Sequence, residues 1–259
     1  MKKFLHIFLV PGVVLFSIAS RADVFSSNAD SGFAGWTLLS GGGDPDVSFF
    51  LEDSASNGDG DGNLDGDINS GSGVAWGLSA RDNTPFPGSV ILLGYDISGG
   101  LSLGQTLSID MDTGFIDAGE RYVGFELDAD GFDRFQFRFQ GGDAFYEYGT
   151  ISEGYVSTGI AFTDEGLRIS LTLTGLNTYD MTVTRLVDGS QFNFLNEPLG
   201  GPADSSINRV EIFNREAGTG LSNNSYFNNL SVVPEPASAF LMLAGIASLV
   251  YRRRNLRQV

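Results

Sequence analysis

The chain has 259 residues, no cysteine, and a single histidine at His6. Its only lysines are Lys2 and Lys3. These absences exclude disulfide staples and thiolate metal sites. Beyond the first six residues they also exclude chemistry that turns on an imidazole base or a lysine amine. A central region of about 210 residues can bury enough core without disulfides. Positive charge is scarce as well. Between Asp23 and Val233, eight arginines face 31 acidic residues, a balance of −23. Such a charge repels nucleic-acid phosphates and anionic lipid head groups, so no nucleic-acid partner is expected. It suits solubility, divalent cations or neutral polymers. Hydrophobic residues make up 42% of the chain and aromatics 12%, too many for a disordered one.

The two ends differ from the middle. Lys2 and Lys3 precede an apolar stretch, Phe4 to Ala19, and Ser20-Arg21-Ala22 puts small residues at −3 and −1. Residues 1–22 therefore read as a secretion signal cleaved between Ala22 and Asp23. An uncleaved N-terminal anchor is the alternative. At the other end Pro234-Glu235-Pro236 leads into an apolar run, Ala237 to Tyr251, then Arg252, Arg253, Arg254 and Arg257. Fifteen helical residues span only about 22 Å against a hydrocarbon core of about 30 Å. The run is thus a marginal span, and the arginines would hold its end in the cytoplasm.

Motif, short apolar helix and terminal arginines, in that order, resemble the PEP-CTERM sorting signal of Gram-negative bacteria. The resemblance covers residues 232–259. It implies a chain handled by the secretion machinery and then by a membrane protease-transpeptidase, exosortase, near Pro234-Glu235-Pro236. It also implies a membrane-held intermediate, a final place at the cell surface or outside it, and the company of exopolysaccharide.

Residues 23–231 read as one β-rich domain. Phe135-Gln136-Phe137-Arg138-Phe139 alternates aromatic with polar residues. Leu167, Ile169, Leu171 and Leu173 alternate likewise, as do Leu107, Ile109 and Met111, and Met181 and Val183. Period-2 patterns of this kind are strands with one buried face. Further strands are expected at Trp36–Leu39, Val47–Leu51, Val74–Ala80, Val90–Ile97, Tyr122–Leu127, Val210–Asn214 and Tyr226–Val232. Glycine- and Asp/Asn-rich turns separate them, and no 3.6-period segment appears between the two ends. The expected fold is all-β, a two-sheet antiparallel sandwich of jelly-roll type, flanked by an N-terminal signal helix and a C-terminal hydrophobic helix. The runs Val74-Ala75-Trp76-Gly77-Leu78, Gln105–Asp112, Phe125-Glu126-Leu127 and Phe227–Val232 resemble secreted PEP-CTERM proteins with a concanavalin-like sandwich, a likeness that brings no activity with it.

Four constellations could carry chemistry. Asp59, Asp61, Asn63, Asp65 and Asp67 alternate along a glycine-rich stretch, as oxygen ligands do in a calcium loop. Ser72 stands where an EF-hand has its bidentate Glu, so the readings are a calcium-stabilised β-domain loop or a solvated Gly/Asp loop. Asp44, Asp46, Glu52 and Asp53 are near in sequence. Gly100-Leu101-Ser102-Leu103-Gly104 matches a nucleophile elbow in letters only, since no histidine is there to serve it, and reads as a turn. Glu126-Leu127-Asp128-Ala129-Asp130 is similar to the Glu-x-Asp-x-Glu strand of laminarinase-like glycoside hydrolases, with a shorter acid at the last position. Trp36, Trp76, Tyr146, Tyr148 and Tyr155 could form a sugar platform, although buried aromatics are commoner.

Three functions fit. The first is a non-catalytic surface or matrix protein able to bind polysaccharide. The others are a self-associating coat component without a small ligand, and a carboxylate-based glycoside hydrolase. The first agrees best with export, acidity and the missing side-chain chemistry.

Overall fold

Side-chain alternation is realised as burial. In the computed structural model, which describes residues 24–41, 46–57, 67–81, 88–202 and 205–234, Phe125, Leu127, Phe135 and Phe137 point inward, while Glu126 and Gln136 take the opposite face. Fifteen strands follow in chain order among the described residues: β1 (Phe25–Ser27), β2 (Trp36–Ser40), β3 (Val47–Glu52), β4 (Ala75–Ala80), β5 (Val90–Asp96), β6 (Gln105–Thr113), β7 (Tyr122–Ala129), β8 (Phe132–Gln140), β9 (Phe145–Thr150), β10 (Gly154–Ala161), β11 (Leu167–Gly175), β12 (Thr178–Arg185), β13 (Gln191–Pro198), β14 (Arg209–Arg215) and β15 (Ser225–Pro234).

They form two antiparallel sheets. Sheet I has the order β13-β12-β11-β6-β15-β4-β3, with β1 also paired to β15, and sheet II the order β10-β9-β8-β7-β14-β5-β2. The inner faces meet across one core. Phe125 is opposite Phe137 on β8, and Ile109 is opposite Ile169 on β11. Trp76 is wholly buried, packs edge-on against Trp36 at 5.1 Å and donates its indole N–H to the Gly32 carbonyl at 2.6 Å. Rings of this size bury about 150–250 Å² each and dominate the energy of such a core. The expected two-sheet sandwich is therefore the observed fold. The two expected terminal helices lie outside the described residues, among which no helix is long and apolar enough to cross a membrane.

The strand β15 is internal to sheet I. Its first residues, Ser225–Phe227, pair with β4, Leu230–Val232 pair with β1, and β6 runs along its other side as far as Pro234 opposite Gln105. The last strand thus extends three residues past the expected boundary at 231 and includes the first proline of Pro234-Glu235-Pro236. A bulge interrupts β15 after Asn228, and Asn229 adopts φ 51° there. Asn228 is fully buried and supplies the missing partners. Its Oδ1 accepts from the Ala29 and Asn229 N–H groups, and its Nδ2 donates to the carbonyls of Ile68 and Val74. Buried main-chain groups without such partners would each cost about 1–3 kcal/mol.

The outer faces differ in chemistry. Sheet I presents hydroxyl pairs, Thr106–Thr172 and Ser108–Ser170, beside a bidentate Arg168–Asp110 ion pair. Sheet II presents long charged and aromatic side chains.

Candidate functional site on the outer face of sheet II

With Val123, Phe125 and Leu127 in the core, β7 must turn Tyr122, Gly124, Glu126 and Asp128 outward. Register then fixes their neighbours. On β14, Arg215, Phe213, Glu211 and Arg209 stand opposite these four in turn. On β8, Gln140, Arg138 and Gln136 stand opposite the first three. Gly149 follows Gln136 on β9, Tyr155 follows Gly149 on β10, and Gly94 precedes Glu211 on β5. One row, Gly94–Glu211–Glu126–Gln136–Gly149–Tyr155, therefore crosses six strands. At the usual strand spacing it is roughly 24 Å long.

Glycine shapes this row. Gly149 has no side chain, so Tyr155 leans across β9 and donates its hydroxyl to Gln136 Oε1 at 2.6 Å. Gln136 Nε2 in turn donates to Glu126 Oε2 at 2.7 Å. Glu126 and Glu211, directly opposed on adjacent strands, are in side-chain hydrogen-bond contact. Beside the row, the Arg138 guanidinium lies 3.4 Å from the centre of the Tyr155 ring and 5.0 Å from that of Tyr122. It also donates to Glu147 at 3.0 and 3.2 Å. Arg215 donates to the Tyr122 hydroxyl at 2.6 Å.

Burial governs the titration here. Desolvation pushes Glu126 up to about 7; the Gln136 hydrogen bond opposes the shift and the adjoining Glu211 carboxyl adds to it. Desolvation also raises Glu211. Asp133, at the start of β8, is pushed up to about 6 by burial, against the Ile151 N–H that donates to it. Tyr155 is pushed up to about 12 by burial, although Arg138 works against the shift. Near neutral pH the tyrosine is thus a hydroxyl donor and no base. The carboxyl pair, too close for two full charges, holds a proton.

Glu126 and Asp128 share the outer face, as the pattern Glu126-x-Asp128-x-Asp130 predicts, but Asp130 does not. It begins the two-residue Asp130-Gly131 turn between β7 and β8, where both residues have positive φ, 55° and 87°. There Asp130 accepts from Asn208 Nδ2 at 2.7 Å. Asp96, Asp128, Asp130, Asn208 and Arg209 line a polar pocket of about 380 Å³ at that end of the face. Of the five candidate platform aromatics, Trp76, Tyr146 and Tyr148 are buried in the core and Trp36 packs against it. Only Tyr155 lies on the outer face.

Asp59, Asp61, Asn63 and Asp65 lie outside the described residues, as do Ala22, Asp23, Glu235, Pro236, Arg252, Arg253 and Arg254. Asp67 is described and partly buried. The chain flanking residues 58–66 is tied together, because Asn69 Oδ1 accepts from the Ser54 N–H and Ser54 Oγ from the Ile68 N–H. No group of three acidic or imidazole side chains suited to a metal ion occurs among the described residues. Ser102 lies in a turn closed by the Gln105 N–H to its carbonyl. Sequence reasoning missed Gln136, Arg138 and Glu211 as site residues. The signal for two of them was present, because the alternation that turns Phe135, Phe137 and Phe139 into the core must turn Gln136 and Arg138 to the opposite face.

No family model and no curated protein matches the chain. Solved structures share its fold. The endo-β-1,4-glucuronan lyase of the fungus Trichoderma reesei superposes with a TM-score of 0.53 at 10% identity, covering 81% of this chain and 94% of its own. The cellulose-induced protein Cip1 superposes with a TM-score of 0.51 at 10% identity, covering 81% and 96%. The chain is thus similar in fold to these two β-sandwich proteins across four-fifths of its length.

Proposed function

We propose that this chain is an exported bacterial surface or matrix protein that holds a polysaccharide against the outer face of sheet II without cleaving it. The observation that carries this reading is the line Tyr155–Gln136–Glu126, with Arg138 stacked on the Tyr155 ring. A half-buried ring beside fixed hydrogen-bonding groups, laid along a row of roughly 24 Å, suits an extended sugar chain. The glucuronan lyase, named for its action on a polysaccharide, lends the ligand class some support because it shares the fold.

Carboxylates on this face also raise the hydrolase reading. Glycoside hydrolysis needs two carboxyls about 5–5.5 Å or about 6.5–9.5 Å apart. Glu126 is instead engaged by Gln136 and adjoins Glu211, an arrangement that favours binding over hydrolysis. Export and sorting rest on the two ends of the sequence, with exosortase as processing partner and exopolysaccharide as the matrix partner. Calcium on Asp59, Asp61, Asn63, Asp65 and Asp67 belongs to the same proposal.

A glycan array probed with the full chain, alongside Tyr155→Ala, tests the reading. Binding that Tyr155→Ala weakens about tenfold or more supports it, since stacking and one hydrogen bond together are worth more than about 1.4 kcal/mol. Silence across the array, or release of reducing ends from a bound glycan, rejects it.

A further inference from the structure

The face of sheet II has a consistent donor and acceptor bias. Its carboxyl groups are Asp96, Glu126, Asp128, Asp133, Glu147 and Glu211, and its cations are Arg138, Arg209 and Arg215. Each arginine is already engaged. Arg138 is held by Glu147, Arg209 by Asp96 at 2.8 Å and Glu211 at 3.6 Å, and Arg215 by the Tyr122 hydroxyl. Gln136 is used at both ends, by Tyr155 and by Glu126. Carboxylate oxygens remain in excess. Asp133 Oδ1 and, on the donor side, Arg215 Nε are buried with no hydrogen-bond partner.

With more carboxyl than guanidinium groups on the face, a ligand meeting this surface finds mostly acceptors and gains by bringing donors. A sugar hydroxyl donates one hydrogen bond and accepts two, whereas a uronate carboxylate only accepts. A carboxylate laid against Glu126 and Glu211 would also place like charges together in a half-buried site, a juxtaposition that costs several kcal/mol. Resting on the reading of this face as a glycan site, we infer that it selects uncharged polysaccharides through their hydroxyls and rejects polyuronates. The glucuronan lyase of similar fold is named for a polyanion, so on this inference the two would differ in substrate charge while sharing the scaffold.

The test pairs glycans that differ only in oxidation at C6. Hexamers of neutral β-1,4- and β-1,3-glucan, mannan and galactan are titrated into the full chain by calorimetry, each beside its C6-carboxylate counterpart, at low and high salt. The expected result is that a neutral hexamer binds on the order of 100-fold more tightly than its carboxylate counterpart. Salt should leave the neutral affinity unchanged and narrow the gap, because screening weakens only the repulsion. Glu211→Gln should also reduce the ratio between the two affinities. A carboxylate hexamer that binds as well as the neutral one overturns the inference while leaving the glycan site standing. Tighter binding of glucosamine hexamers than of neutral ones overturns it in favour of a cationic ligand. If no hexamer binds, the glycan reading falls and the inference falls with it.

Discussion

The guanidinium of Arg138 sits over the ring of Tyr155, 3.4 Å from its centre, while the hydroxyl of the same ring reaches Gln136 two strands away. Two elements that are neighbours in neither chain nor strand order are thereby locked into one plane. Tyr155→Phe keeps the stack and loses the hydrogen bond, so it should cost about 0.5–1.5 kcal/mol of stability by denaturant titration. Tyr155→Ala should cost more, because it also removes a cation–π contact worth about 0.5–2 kcal/mol. Equal losses for the two variants would show that the stack contributes nothing.

The carboxyl pair fixes the sign of a pH dependence. Folded Glu126 keeps its proton to about pH 7, and folded Asp133 to about pH 6, whereas the unfolded chain releases them near 4.5 and 3.8. Between those limits the native state binds more protons than the unfolded state. Stability from these groups therefore falls as pH rises from about 4 to 7 and levels off above it. Glu126→Gln should flatten the slope, as read from denaturation midpoints at pH 5 and pH 8. A steeper slope in the variant would reject the assignment.

Gly124 lies between Phe213 and Arg138 across the sheet, and a Cβ there would run into the Phe137 main-chain carbonyl and the Arg138 Cα. Main chain in a central strand pair yields poorly. Gly124→Ala should lower stability by about 1–3 kcal/mol, as overpacking does. A neutral melting temperature would mean that β7 and β8 separate more easily than their pairing suggests.

Asn228 joins four main-chain groups at the bulge of β15. Asn228→Ala should cost at least about 2 kcal/mol, since it strands more than one buried donor or acceptor at about 1–3 kcal/mol each. Hydrogen exchange at Ala29 and Asn229 should accelerate in the variant, because both amides donate to Asn228 Oδ1. Unchanged protection there would contradict this role.

The acidic stretch from Asp59 to Asp67 gives a separate test. If it binds calcium, the folded chain gains stability by mass action, about 2.7 kcal/mol at 100 times the dissociation constant. Melting curves in calcium and in chelator should then separate. Coincident curves would leave a solvated Gly/Asp loop.

The sandwich was legible because buried strands write alternation into the sequence. Phe135, Phe137 and Phe139, or Leu167, Ile169 and Leu171, define inward faces without reference to any partner. The strands β1, β9, β10 and β13 were not among those expected. Both faces of β10 are largely exposed, so Val156 and Ser157 carry no contrast between inside and outside. The site was harder to read than the fold. Glu126 stood out from its local pattern, but its neighbour Glu211 lies 85 positions away, on a strand that reaches β7 only through the sheet order. Gly149 marked the gap that Tyr155 crosses, yet a glycine in a strand gives no hint of which ring will use it. Sequence alternation reports which face a residue takes, and chain order says little about who stands beside it.

The position of Pro234 has a mechanical consequence. It ends a strand flanked by β6 on one side and by β1 and β4 on the other, and it is already the first residue of Pro234-Glu235-Pro236. No slack separates the sandwich from that motif. Tension applied through the residues that follow would run along the axis of β15 and load its ladders together in shear, rather than peeling one bond at a time from a sheet edge. A domain tethered there would meet drag from outside with the part of the sheet best placed to resist being pulled open.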